Sequence, residues 1–248
     1  MSQVERALPI VLVAGWGVPA EMLSGLFDGW PSPVHLVSLD AELVGDSPDV
    51  ETLAARLTDR YTEPALWVGW SLGGQVAMAA ADRAPDRVQG VLTLCSFPRF
   101  VATADWPYGM AQAQFQRFSE DLQRDARRCR QRFLTLQALG DPDELEAKRA
   151  LRPWLRNEAG FTPPVLQRTL DWLAHTDQRR LWQSLELPVL HLWGECDRVV
   201  SGAMAGVPVS SSARVARVAG LTHWPRGHAL DRCRQALVRF VEQCQEVA

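Results

Sequence analysis

The stretch LWVGWSLGGQVAMAA, Leu66–Ala80, decides how the chain is read. An apolar run with β character ends in Gly-Trp-Ser-Leu-Gly-Gly, and a small-residue helix pattern begins at once. A parallel sheet collects its ligands beyond the carboxyl ends of its strands, and Ser71 falls at such an end. Gly69-x-Ser71-x-Gly73 has the spacing of a nucleophile elbow, a tight strand-to-helix turn that exposes the serine oxygen. Glycine is needed there because a side chain would strike the neighbouring strand or helix. Gly-x-Ser-x-Gly also arises by chance in many chains. The strand before it and the helix after it supply the context the motif requires.

Working outward, short apolar runs alternate with helical patterns. Pro9–Ala14, Val34–Leu39, Ala65–Trp70 and Arg87–Ser96 read as strands, and Asp49–Tyr61 as an amphipathic helix. From Phe97 to about Leu185 no strand stands out, and the periodicity is helical throughout. Strands return at Leu187–Gly194 and Ala213–Gly220, and a helix closes the chain over Ala229–Glu246. Alternating strands and helices imply an α/β fold, a mainly parallel sheet with helices on both faces. The helical block reads as an inserted cap. The expected division is a core of residues 1–98 and 186–248 with a lid of residues 99–185.

The 248 residues are 47% hydrophobic, enough for a large core, and the net charge of −3 argues against a nucleic-acid binder. Five cysteines, odd in number and without a CxxC pair, argue against a disulfide framework or a zinc site. The opening MSQVERALPIVLVAG reads as neither a signal peptide nor a membrane span, so a cytoplasmic protein is expected. Nothing calls for a metal or a redox cofactor, and a monomer is expected.

A serine hydroxyl is a weak nucleophile until a base takes its proton. In this architecture an acid and then a histidine should follow the serine along the chain. Asp197 lies just after a late strand in LHLWGECDRVV, and His223 just after the last strand in VAGLTHWPRGH. His223 would take the Ser71 proton, and Asp197 would hold the imidazole tautomer. Glu195 and Cys196 are the neighbouring competitors for the acid, and an apolar run after Asp197 favours it over them. His228 reads as a surface or capping residue at the last helix, His35 and His191 as strand residues, and His175 as the end of a helix. The tetrahedral intermediate needs two donors for its oxyanion. Leu72 N–H, directly after the serine, is one. Trp16 N–H is the other, in a loop that Gly15 and Gly17 open to close approach. A plain glycine turn is the competing reading of that loop.

These residues resemble the α/β-hydrolase superfamily, and more closely its pimeloyl-[acyl-carrier protein] methyl ester esterases of biotin synthesis. AGWGVPAEML looks like their oxyanion loop, LWVGWSLGGQVA their elbow, SFPRFVATADWPYG the start of their cap, and RRCRQRFLTLQALG a cap helix. The likeness spans nearly the whole chain. It departs at Ala14, where the family carries histidine, in DAELVGDS, in the short N-terminus, and in the tail of LTHWPRGHAL. The resemblance implies a serine carboxylesterase acting on the distal methyl ester of a pimeloyl chain carried by acyl carrier protein. Trp16, Trp70, Leu72 and Phe133 would then line the substrate channel. The carrier is acidic, and Arg128, Arg132 and Arg149 match its docking arginines; the fourth such position falls on Leu145. RDARRCRQR places five arginines close together, although Glu120, Asp121 and Asp125 could balance them as an ordinary solvated face. A general short-chain carboxylesterase, a carbon–carbon bond hydrolase of the same fold, and a non-catalytic binding protein on that scaffold remain as alternatives.

Overall fold

A computed structural model describes residues 7–158 and 160–247. Six strands form one sheet: β1 (Ile10–Val13), β2 (Val34–Val37), β3 (Ala65–Trp70), β4 (Val88–Leu94), β5 (Val189–Gly194) and β6 (Ala213–Val218). Their order is β2-β1-β3-β4-β5-β6, and every pairing is parallel. The α/β sheet expected from sequence is the one found.

Burial follows position in the sheet. β1, β3 and β5 are buried along their whole length, whereas the edge strands β2 and β6 carry exposed residues. This is why the inner strands read as unbroken apolar runs. Helix α3 (Leu72–Arg83) packs on β1, β3 and β4, and α2 (Val50–Arg60) packs on α3. The Ala-rich body of α3, with Ala77, Ala80 and Ala81 fully covered, lets its backbone lie close to the strands. The C-terminal helix α9 (Gly227–Val247) packs on β4, β6 and a 3-10 turn at Ala20–Phe27.

The chain leaves β1 towards β2 on one side, and leaves β3 towards β4 on the other. The strand order therefore reverses between β1 and β3, which makes their carboxyl ends the crevice of the sheet. The loop holding Trp16 follows β1, and Ser71 follows β3.

Between β4 and β5 the chain makes α4 (Gln112–Arg124), α5 (Ala126–Leu136), α6 (Glu144–Arg156), α7 (Pro163–His175) and the short α8 (Arg179–Ser184). Only isolated bridges, such as Arg99 with Asp177, interrupt this helical run among the described residues. The run read as continuous from sequence is broken at Asp125, which leaves helical geometry (φ −156, ψ 88) and caps α5 by accepting from Arg128 N. A four-residue helix, α1 (Ala41–Val44), capped by Asp40, forms within the DAELVGDS stretch. Among the described residues no helix is long and apolar enough to cross a membrane.

Candidate active site

Ser71 joins β3 to α3 with φ 56 and ψ −121, a region that side-chain-bearing residues rarely occupy. Its backbone is tied on every side. Its N–H donates to Leu94 O at 2.9 Å, and its carbonyl accepts from Ser96 Oγ at 2.6 Å and Gly74 N at 2.9 Å. The surrounding glycines are steric necessities. A Cβ on Gly73 would lie 2.0 Å from Val13 O, and one on Gly69 would lie 2.4 Å from Gly73 O. At Gly15, in the β1 loop, it would come within 2.9 Å of Ser71 Cβ. The β1 loop and the elbow are thus in contact.

His223 and Asp197 meet. His223 Nδ1 lies 2.9 Å from Asp197 Oδ2, with both side chains 1% exposed. The other carboxylate oxygen, Oδ1, accepts from Val199 N at 2.7 Å and Val200 N at 3.0 Å, so the acid is locked in place. A carboxylate accepting from Nδ1 leaves Nε2 as the basic nitrogen. Among the described residues Nε2 has no hydrogen-bond partner. The Ser71–His223 hydrogen bond is therefore not closed, as is common in unliganded hydrolytic sites. Trp70 brings the two residues together: its Nε1 donates to His223 O at 2.8 Å, and the two rings lie 5.9 Å apart. The serine's chain neighbour thus carries the histidine loop.

The other histidines and the rival acid lie elsewhere. His228 is 98% exposed beside Asp231. His35 is exposed near Tyr61, and His175 is exposed on α7. His191 is buried between Trp182 and Trp193. Glu195 is exposed.

Leu72 N–H is the first of α3 and has no acceptor in its own helix. Neither it nor Trp16 N–H meets an acceptor among the described residues. Trp16 itself is buried, its indole donating to Leu166 O at 2.9 Å. Its ring meets Phe118 and Phe133 edge-on at 5.0 and 5.1 Å, and Phe133 lies 6.4 Å from the His223 ring. Trp16, Trp70, Leu72 and Phe133 are all buried, and the rings of Trp70 and Phe133 both flank the His223 ring. A cavity of about 300 Å³ opens beside Asp197, walled by Phe97, Phe100, Tyr108 and Met110.

Three residues have roles that were not read from the sequence. Cys95, at the end of β4, has φ 50, and its thiol approaches Thr222 O at 3.6 Å. Ligand atoms of Cys95, Asp197 and His223 lie within 4.8 Å of one another. Burial, and then the Asp197 charge, push the Cys95 pKa well up, so it is a thiol rather than a thiolate. His223 Nδ1 is already committed to Asp197, so the group is a hydrogen-bonded cluster and not a ready metal centre. The second is the Trp70 indole, which ties the elbow to the histidine loop. The third, Arg130, counted from sequence with the basic cluster, is instead buried. The strand-end position of Cys95 was the one signal available for these.

A family model described as "Alpha/beta hydrolase family" matches residues 10–236. The chain belongs to the alpha/beta hydrolase family. Within that family it is 35% identical to the pimeloyl-[acyl-carrier protein] methyl ester esterase of Xanthomonas oryzae pv. oryzae, over 94% of each chain. It is 36% identical to the protein of the same name from Methylococcus capsulatus, over 79% of this chain and 78% of that one. The resemblance drawn from the elbow and the helical run holds. Solved hydrolase structures share the fold. An esterase from Exiguobacterium antarcticum superposes with a TM-score of 0.79 at 16% identity, covering 95% of this chain and 92% of the other. The enol-lactonase from Burkholderia xenovorans LB400 gives 0.75 at 17%, covering 97% and 94%.

Proposed function

We propose that this hydrolase is a serine carboxylesterase that cleaves the distal methyl ester of a pimeloyl chain carried on acyl carrier protein. The observation that carries the mechanism is the buried His223 Nδ1–Asp197 Oδ2 hydrogen bond at 2.9 Å, beside a serine held in a strained elbow. The names of the relatives supply the substrate.

Ser71 Oγ attacks the ester carbonyl while His223 Nε2 takes its proton. Negative charge builds on the carbonyl oxygen, and the Trp16 and Leu72 N–H groups stabilise it. The histidinium, steadied by Asp197, returns the proton to the departing methanol. Water then repeats the cycle on the acyl-enzyme and frees the pimeloyl carboxylate. Trp70, Phe133, Trp16 and Leu72 surround the reacting carbonyl.

The division of labour is a core of residues 1–98 and 186–248 with a lid of residues 99–185. The carrier docks on the lid at Arg128, Arg132 and Arg149, and the acyl chain threads inward so that the distal ester alone reaches Ser71. The charge there supports this. Arg128 has no ion pair among the described residues, and a groove of about 720 Å³ between α5 and α6 is walled by Arg127, Arg128, Arg132, Arg152 and Arg156. The pairs that do form, Arg132 with Asp121 and Arg149 with Glu146, are solvent-exposed and weak enough to be exchanged. Leu145, the departing fourth position, is 71% exposed on α6. The reaction takes place in the cytoplasm and serves biotin synthesis, as the resemblance implies.

The test is to offer methyl pimeloyl-carrier protein and follow methanol and free acid. Ser71→Ala should lower turnover roughly 10⁴-fold or more, and a fluorophosphonate should label Ser71 covalently. A chain that resists labelling would be a binding protein on the same scaffold. A chain that hydrolyses only free short esters would be a general carboxylesterase.

A further inference from the structure

Arg130 is the one arginine of the RDARRCRQR stretch that turns inward, and it is 2% exposed. Its Nε donates to Gly17 O at 2.7 Å, across 113 residues of sequence. Nη1 and Nη2 have no hydrogen-bond partner among the described residues, and the guanidinium carbon sits 4.7 Å over the Phe161 ring. The acid that acts on it through space, Glu158, is exposed and engaged by Arg127 at 2.6 Å. Burial pulls the Arg130 pKa down from its ordinary value, but an arginine starts high enough to stay charged.

A buried cation without a direct counter-ion is costly to the fold. Holding one carbonyl does not require it, because a neutral amide would serve. The position matters more. Gly17 has φ +63 and follows Trp16, whose N–H meets no acceptor among the described residues. A Cβ at Gly17 would lie 3.1 Å from Leu166 Cδ2 and 3.5 Å from Arg130 Cγ, so the turn is wedged between α7 and α5. Phe133, three residues on and on the same face of α5, touches Trp16 and His223.

We propose that Arg130 is a positioning residue for the oxyanion loop: it pins the Trp16–Gly17 turn by its carbonyl and sets a buried positive charge beside the place where the tetrahedral intermediate becomes negative. Negative charge there offsets part of the cost of burying the cation, so the arginine favours the transition state over the resting site. This rests on the Ser71 mechanism above and adds the group that holds its second donor.

The test compares Arg130→Met, Arg130→Gln and Arg130→Lys on a short-chain 4-nitrophenyl ester. Rates are divided by active sites titrated with a fluorophosphonate, so that loss of folded protein does not count as loss of catalysis. A trifluoromethyl ketone, which forms an oxyanion on Ser71, reports the loop directly. Arg130→Met should lower kcat about tenfold with KM changed less than about twofold. Its ketone inhibition constant should rise by the same factor that kcat/KM falls. Arg130→Lys, which keeps the charge, should recover more than Arg130→Gln, which keeps only a neutral donor. Unchanged kcat per titrated site in Arg130→Met overturns the proposal, as does a loss confined to KM or an unchanged ketone constant. Should Arg130→Met not fold, Arg130→Gln with wild-type kcat and ketone affinity overturns it equally. Failure of the unaltered chain to label at Ser71 would overturn the hydrolytic mechanism and this inference together, whereas labelling with indifferent Arg130 variants overturns this inference alone.

Discussion

At the scale of single residues, the site is built by denying side chains their ordinary freedom. Ser71 is forced to φ 56 because Gly69 and Gly73 let β1, β3 and α3 close on it. His223 has one nitrogen committed to Asp197 and one buried without a partner among the described residues. That asymmetry suits it to the role of base in the proposed mechanism, and it separates His223 from His228, whose ring is in solvent. His223→Ala should therefore cost about as much turnover as Ser71→Ala, because residues of a proton relay fail as a unit. His228→Ala should leave kcat within about twofold, since exposed side chains away from the chemistry contribute little. Steady-state kinetics on a 4-nitrophenyl ester reads both, and the reverse ranking would move the base to His228. Ser71, Asp197 and His223, the residues of the proposed mechanism, stood out in the sequence because each follows a strand and their order matches the architecture. Arg130 was not, because side-chain direction within a basic helix run is set by the partner it packs on. Spacing alone groups it with the solvated arginines around it.

At the scale of elements, the inner strands announced themselves because burial on both faces demands unbroken apolar runs. Boundaries were harder. The α4–α5 break at Asp125 lies in a stretch whose helical periodicity continues on either side, and only the capping carboxylate marks it. On α5, which begins at this break, Arg128 and Arg132 of the proposed docking face lie one turn apart and exposed. Reversing both charges, Arg128→Glu with Arg132→Glu, should raise KM for carrier-linked methyl pimeloyl ester about tenfold at low salt. A free 4-nitrophenyl ester should be hydrolysed as before, since both side chains are exposed on α5. The difference should shrink as salt is added. Equal losses on the two substrates would place the defect in the fold of α5 rather than in recognition of the carrier.

At the scale of the whole molecule, the sheet couples stability to pH through a residue that takes no part in the chemistry. His191, at the middle of β5, is fully buried, with Nδ1 2.7 Å from Thr93 Oγ1 on β4 and its ring stacked 4.0 Å from Trp182. Sequence identified it as a strand histidine, but only the packing shows that it cannot be charged there. Burial lowers its pKa from 6.5 to about 3. The unfolded chain binds a proton at this residue as pH falls through about 6.5, while the folded chain stays neutral until about 3. Between those values the unfolded state holds more protons, so stability is complete above the unfolded pKa and falls as the solution is acidified. The loss at pH 5 relative to pH 7 should be about 2 kcal/mol from this residue alone. Urea unfolding followed at both pH values, in the native chain and in His191→Phe, isolates the contribution by difference. The variant starts less stable, because Thr93 loses its partner, but its stability should change less between the two pH values. An equal pH dependence in the two proteins would show that His191 is not the group whose protonation the fold resists, and that acid acts on the carboxylates instead.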